Sequence, residues 1–239
     1  MKKHITFLAI LISTFVLAQK KQTNQIAFED KWVKNENYTM IFYRVNDTTK
    51  FEIGRIKNAI EVIKGKSILQ SLIFSSKMFK SDFIDNSIYD FKTLKPLLHE
   101  SSNDQRSIQI KYEDSIRCKY IATTDKKTQK HVEINDNKTN YLDSSTYQNI
   151  IRWLPLSEGY QVEFIVYNYD PNNTTGFIKV QILPVVIEDY KTKKEGVRKV
   201  FKVIETFGKL KTIHFIDKED RRLWKQEIND GKILNIREE

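Results

Sequence analysis

The chain has 239 residues, 40 lysines and arginines against 31 aspartates and glutamates, and therefore a formal charge of +9. It is long enough for a sizeable hydrophobic core, and its single cysteine excludes an internal disulfide framework. With only seven glycines it carries no G-x-G-x-x-G and no G-x-S-x-G, which removes the usual signatures of dinucleotide binding and serine hydrolysis.

In chain order, residues 1–18 read as a signal peptide. Lys2 and Lys3 precede a 14-residue apolar run from Ile5 to Ala18, with Val16 and Ala18 at the small-residue positions that a signal peptidase reads. A spanning helix needs roughly 20 residues, so cleavage after Ala18 or Gln19 is expected, with no transmembrane segment afterwards and no cysteine at the cleavage point to take a lipid. The expected product is a periplasmic or secreted protein of formal charge +7, with its basic residues interleaved with acids. Export argues against nucleic acid as a partner.

Residues 19–35 read as a mobile lead-in and residues 36–239 as one domain. TMIFYRVN, KFEIGRIKNAIEVI and SILQSLIFSSKMF are β-branched and aromatic runs separated by the polar turns NDTTK and KGKS. KSDFIDNSIYDFKTLKPLL has no clean period and reads as a loop or short helical turn leading into a strand near Leu97. Ile108, Ile110 and Tyr112 then alternate with polar residues, as do Ile116, Cys118 and Tyr120, which predicts a hairpin with one buried face. Val132 and Ile134 continue the series.

DSSTYQNIIRWLPL breaks the alternation. On a helical wheel Tyr147, Ile150, Ile151 and Leu154 share a face, Arg152 points away, Trp153 lies beside the apolar stripe, and Pro155 ends the turn. Further strands follow from Tyr160, separated by PNNTTG, KEDRR and NDG turns. The reading is a mainly β fold, a strongly curved antiparallel half-barrel of about eleven strands, with the 145–154 helix packed on its concave face.

Three islands carry a family resemblance: D-x-x-T-L-x-P from Asp90 to Pro96, Asp143 to Tyr160, and Ile213 to Ile228. They resemble an exported bacterial domain-of-unknown-function family of the Bacteroidota type, whose members are similar to the lipoprotein carriers LolA and LolB in architecture. The resemblance implies a fold and a compartment and no catalytic residue.

Candidate chemistry is sparse. Gly65-Lys66-Ser67 lacks the earlier glycine of a phosphate loop, and His99-Glu100 lacks the second histidine of a zinc-protease helix. His131 and Glu133 share a strand face, but the one opposite Val132 and Ile134. His214 with Asp217, Glu219 and Asp220 forms either an acid-base or metal cluster or a charged turn, and Asp82, Asp85 and Asp90 lack the spacing and glycine of a calcium loop. Tyr43, Tyr160, Tyr167, Tyr169 and Trp224 suit strand pairing and core packing as well as sugar stacking. Cys118 reads as a small buried hydrophobe.

No enzyme activity, metal or cofactor is expected. The leading expectation is a hydrophobic or amphipathic ligand, a lipid or lipoprotein acyl chain, held in the concavity by Tyr147, Ile150, Ile151, Trp153 and Leu154. The alternative is an interaction module that binds a polysaccharide or another envelope protein through its surface. Bulky helix residues filling the concavity favour the second.

Overall fold

The structure, a computed structural model, describes residues 26–122, 129–134, 140–169 and 176–239. The expected signal peptide lies outside them. The strands are β1 (Glu36–Asn46), β2 (Thr49–Ile63), β3 (Ser67–Ser75), β4 (Phe83–Asp90), β5 (Pro96–Ser102), β6 (Arg106–Tyr112), β7 (Ile116–Ala122) and β8 (Gln129–Ile134). They continue as β9 (Tyr141–Asp143), β10 (Val162–Asn168), β11 (Gly176–Ile182), β12 (Val186–Lys191), β13 (Val197–Phe207), β14 (Leu210–Asp217), β15 (Leu223–Ile228) and β16 (Ile233–Arg237).

All belong to one curved sheet in the order β8-β7-β6-β5-β4-β3-β2-β1-β16-β15-β14-β13-β11-β10-β9, with β12 beside β13. The short turns force antiparallel pairing along almost the whole path. The exception is β9, which runs parallel to β10. The sheet curls until its distant parts meet. Ile108, Ile110, Tyr112, Ile116 and Cys118 of β6 and β7 pack against Tyr141 and Tyr167 of β9 and β10, and the Cys118 thiol lies 3.3 Å from the Tyr167 hydroxyl.

The mainly β expectation holds, and so does the hairpin in which Ile110 faces Cys118. The strand count does not: among the described residues the sheet has sixteen. The segment read as an aperiodic loop supplies β4 and the start of β5, because the inward positions of β4 include Asp85 and Ser87 and its hydrophobic period vanishes. FIKVQILPVVIEDY divides into β11 and β12 because Pro184 interrupts the ladder.

The break in alternation at 143–156 is an internal plug. Its α-helical part, α1, covers only Tyr147–Ile150, and a 3-10 turn follows at Ile151–Trp153. Asp143 shapes the entry by accepting the Ser145 N–H at 2.7 Å. Leu154 turns extended before Pro155, as a residue preceding proline must. Residues 26–35, expected to be mobile, pack on this plug: the Glu29 N–H donates to the Trp153 carbonyl at 2.8 Å, and Ile26 and Val33 join the core. Residues 19–25 lie outside the described residues.

Candidate functional site

The concave face is occupied. Tyr147, Ile150, Ile151, Trp153 and Leu154 are all 3% exposed or less and share one core with Met40, Ile60, Ile68, Tyr89, Val166, Val180 and Val203. Two placements differ from the helical wheel. Trp153, placed beside the apolar stripe by the wheel, is 1% exposed and lies inside the core, and Arg152, expected to face outward, is 2% exposed. The cause is the change of helix type after Ile150: a four-residue α segment followed by a 3-10 turn does not keep the wheel's 100° step.

Three polar stations tie the plug to the sheet. At the first, Arg152 bonds Glu36 at 2.8 Å, Arg237 bonds the same carboxylate at 3.0 Å, and the two guanidiniums lie 5.3 and 4.5 Å from the centre of the Tyr38 ring. Tyr38 donates to Asn149 at 2.6 Å. Burial pulls the Glu36 carboxyl up, but the two arginines outweigh it and hold it below the usual carboxylate range. At the second station Tyr147 donates to Glu205, which also pairs with His214 at 2.7 Å. Gln226 then links His214 to Asn235. Burial, followed by the Glu205 charge, raises the Tyr147 phenol.

The third station surrounds His99. Register aligns Gln70, Ser87 and His99 in one row across β3, β4 and β5, and Asn58, Leu72, Asp85 and Ser101 in the next. All of the polar members are buried. His99 Nδ1 takes a 2.7 Å bond with Ser87, and its Nε2 lies 3.5 Å from the Ser145 hydroxyl. Asp143 and Asp85 stand 3.7 and 3.9 Å from the ring nitrogens, beyond hydrogen-bond reach. Asp143 is engaged instead by Tyr112 at 2.6 Å. Burial raises the Asp85 carboxyl, and its Oδ1 has no partner.

This polar row escaped the sequence reading. Its signal was the two-residue spacing of Asp85, Ser87 and Tyr89 in β4, which is strand periodicity carried by polar side chains.

Among the described residues, two small spaces lie inside the shell. One of about 90 Å³ lies between Asn58, Thr146, Gln148 and Gln226, and one of about 70 Å³ lies between Asp85, His99, Arg106 and Tyr169. Larger clefts open on the outer face. One of about 340 Å³ is lined by Asn86, Glu100, Gln109 and Lys119, and one of about 300 Å³ by Asn37, Thr39, Lys57 and Ser71.

Of the other sequence candidates, the 214–220 cluster is only partly assembled: Asp217 and Glu219 share Arg198, each at 2.9 Å, and Asp217 accepts the Glu219 N–H at 2.8 Å and the Trp224 indole at 3.0 Å, while His214 pairs elsewhere, with Glu205. Asp82 and Asp90 flank opposite ends of β4, and Asp90 caps the 90–95 turn by accepting from Thr93. His131 and Glu133 are exposed. Among the described residues no three His, Cys, Asp or Glu side chains form a metal-binding group, and no helix is long and apolar enough to cross a membrane. Tyr167 is buried against Cys118, and Tyr43 lies under Lys50.

Residues 37–237 match the profile of a family described as "Protein of unknown function (DUF3108)". The chain belongs to the DUF3108 family. No curated protein matches it. Among solved structures, this DUF3108 chain is similar to a β-barrel-like protein of domain of unknown function DUF1849 from Brucella abortus. The TM-score is 0.56 at 6% identity, over 89% of this chain and 98% of that one. At that identity the likeness speaks to the fold alone.

Proposed function

We propose that this DUF3108 protein is an exported, non-enzymatic envelope protein that engages another envelope component through its outer surface. The observation that carries the reading is the filled concavity: five bulky plug residues occupy the position where a ligand would lie. Pockets for small molecules run to roughly 300–1,000 Å³. Among the described residues, the interior spaces of about 90 and 70 Å³ fall well short, and polar groups line the smaller one and about half of the larger, while the two outer clefts reach the lower end of that range. An acyl chain in the concavity would require the plug to leave.

A LolA/LolB-like architecture is part of the proposal, supported by the strongly curved sheet around a short internal helix. The test is mass spectrometry of lipids extracted from protein purified out of its native envelope. The expected result is no stoichiometric lipid. One lipid per chain would overturn the surface reading.

A further inference from the structure

Beyond Ser75 the chain turns back towards β4 through a tip whose shape is fixed by its own hydrogen bonds. The Ser76 hydroxyl donates to the Ile53 carbonyl and accepts the Met78 N–H at 3.1 Å, and the Phe79 N–H donates to the Ser76 carbonyl at 3.3 Å. On the far side the Ser81 hydroxyl accepts the Asp104 N–H at 2.8 Å. The tip is thereby tied to β2 and to the β5–β6 connection.

Held in this way, Met78 is 69% and Phe79 53% exposed. Phe79 is the outer end of an aromatic stack. Its ring meets Phe74 edge-on at 6.1 Å, and Phe74 meets Phe42 at 5.4 Å. Gly54 makes the stack possible, since a Cβ there would sit 2.5 Å from the Phe74 ring and 2.7 Å from the Ser75 carbonyl. On either side of the apolar pair stand Lys77 and Lys80, both exposed.

We propose that this Lys77–Lys80 tip docks the protein onto an anionic lipid surface. The proposal rests on the surface reading above and names its partner. Two apolar side chains projecting from a turn need no complementary pocket in a bilayer interface, whereas a protein partner would have to provide one. The lysines settle the chemistry. Their aliphatic stems lie along the acyl boundary while the ammonium groups stay among headgroup phosphates, and the formal charge of +7 expected for the exported chain adds long-range attraction. Asp82 and Asp104 adjoin the tip and temper that attraction, so depth of binding depends on Met78 and Phe79.

The test is cosedimentation of the purified protein with vesicles of mixed phosphatidylglycerol and phosphatidylcholine, compared with phosphatidylcholine alone. Partitioning to the mixed vesicles is expected, weakened by added salt. The pair Met78→Ser and Phe79→Ser should reduce it by roughly tenfold or more, and the pair Lys77→Gln and Lys80→Gln by up to about thirtyfold on the mixed vesicles only. The lysine pair should melt with the parent because both side chains are exposed, and the Met78 and Phe79 pair should stay folded with a small loss from the Phe74 contact. Partitioning unchanged in both variants, or equal on neutral and anionic vesicles, would overturn the proposal. A chain that ignores vesicles and carries no extracted lipid leaves the surface reading standing without this partner. A lipid found inside the shell removes the surface reading whatever the tip does.

Discussion

Arg152→Met is the substitution on which the helical wheel and the structure disagree most. The side chain is 3% exposed, bonds Glu36 at 2.8 Å, and lies over the Tyr38 ring. Breaking one half of a buried ion pair costs about 3–5 kcal/mol in general. Here Glu36 keeps Arg237 at 3.0 Å and its side chain is 13% exposed, so the expected cost is lower, about 2–4 kcal/mol. For a domain of this size that corresponds to a fall in Tm of roughly 4–16 °C, comparable with Ile151→Ala, for which about 2–5 kcal/mol is expected. Urea unfolding at neutral pH measures both. Pairing with Glu36→Gln in a double-mutant cycle should return part of the loss, because the carboxylate left behind is itself part of the cost. The deficit also depends on pH. Glu36 has a depressed folded-state pKa, so its stabilisation is present above the unfolded value near about 4.3 and disappears as pH falls through the folded one. The gap between parent and variant should therefore narrow in acid. A variant within about 0.5 kcal/mol of the parent would mean that Arg152 faces solvent and that the plug is seated differently.

Two further outcomes follow from single buried groups. Burial raises Asp85, so its charged form opposes folding at neutral pH. Asp85→Asn should leave Tm unchanged or raise it at pH 7, with any gain vanishing as pH falls below about 4, and a lower Tm at neutral pH would mean that the carboxylate is needed there. Burial pushes the Cys118 thiol up to about 11, so an aromatic disulfide reagent at pH 8 should find no thiol in the folded protein and one after denaturation. Reaction in the native state would contradict the packing of β7 against β10.

Much of the shell was legible because its strands alternate apolar and polar residues. Ile108, Ile110, Ile116 and Cys118 sit where period two places them. β4 was hidden because Asp85 and Ser87 occupy inward positions that a hydrophobicity pattern reserves for apolar residues. The plug was visible as the one break in alternation, and the burial of Tyr147, Ile150, Ile151 and Leu154 follows their shared face. Arg152 was misplaced for two reasons. Its charge argues for solvent until Glu36, 116 positions away in sequence, is brought beside it, and the 3-10 turn rotates it away from the wheel position. Neither fact is local to the segment. The exposed Met78 and Phe79 were read as the end of a strand, since nothing in KMFK itself shows that β3 stops at Ser75.

The most direct measurement of the filled concavity is native-state hydrogen exchange of the plug amides. Asn149, Leu154 and Leu156 each donate within the segment, to Thr146, Ile151 and Leu154. If the plug is an integral part of the core, these amides exchange only through global unfolding, with the same denaturant dependence as the central strands β2 and β14. If they exchange through a separate opening of much lower free energy while β2 and β14 stay protected, the plug is a door, the concavity is accessible to a ligand, and the surface reading fails.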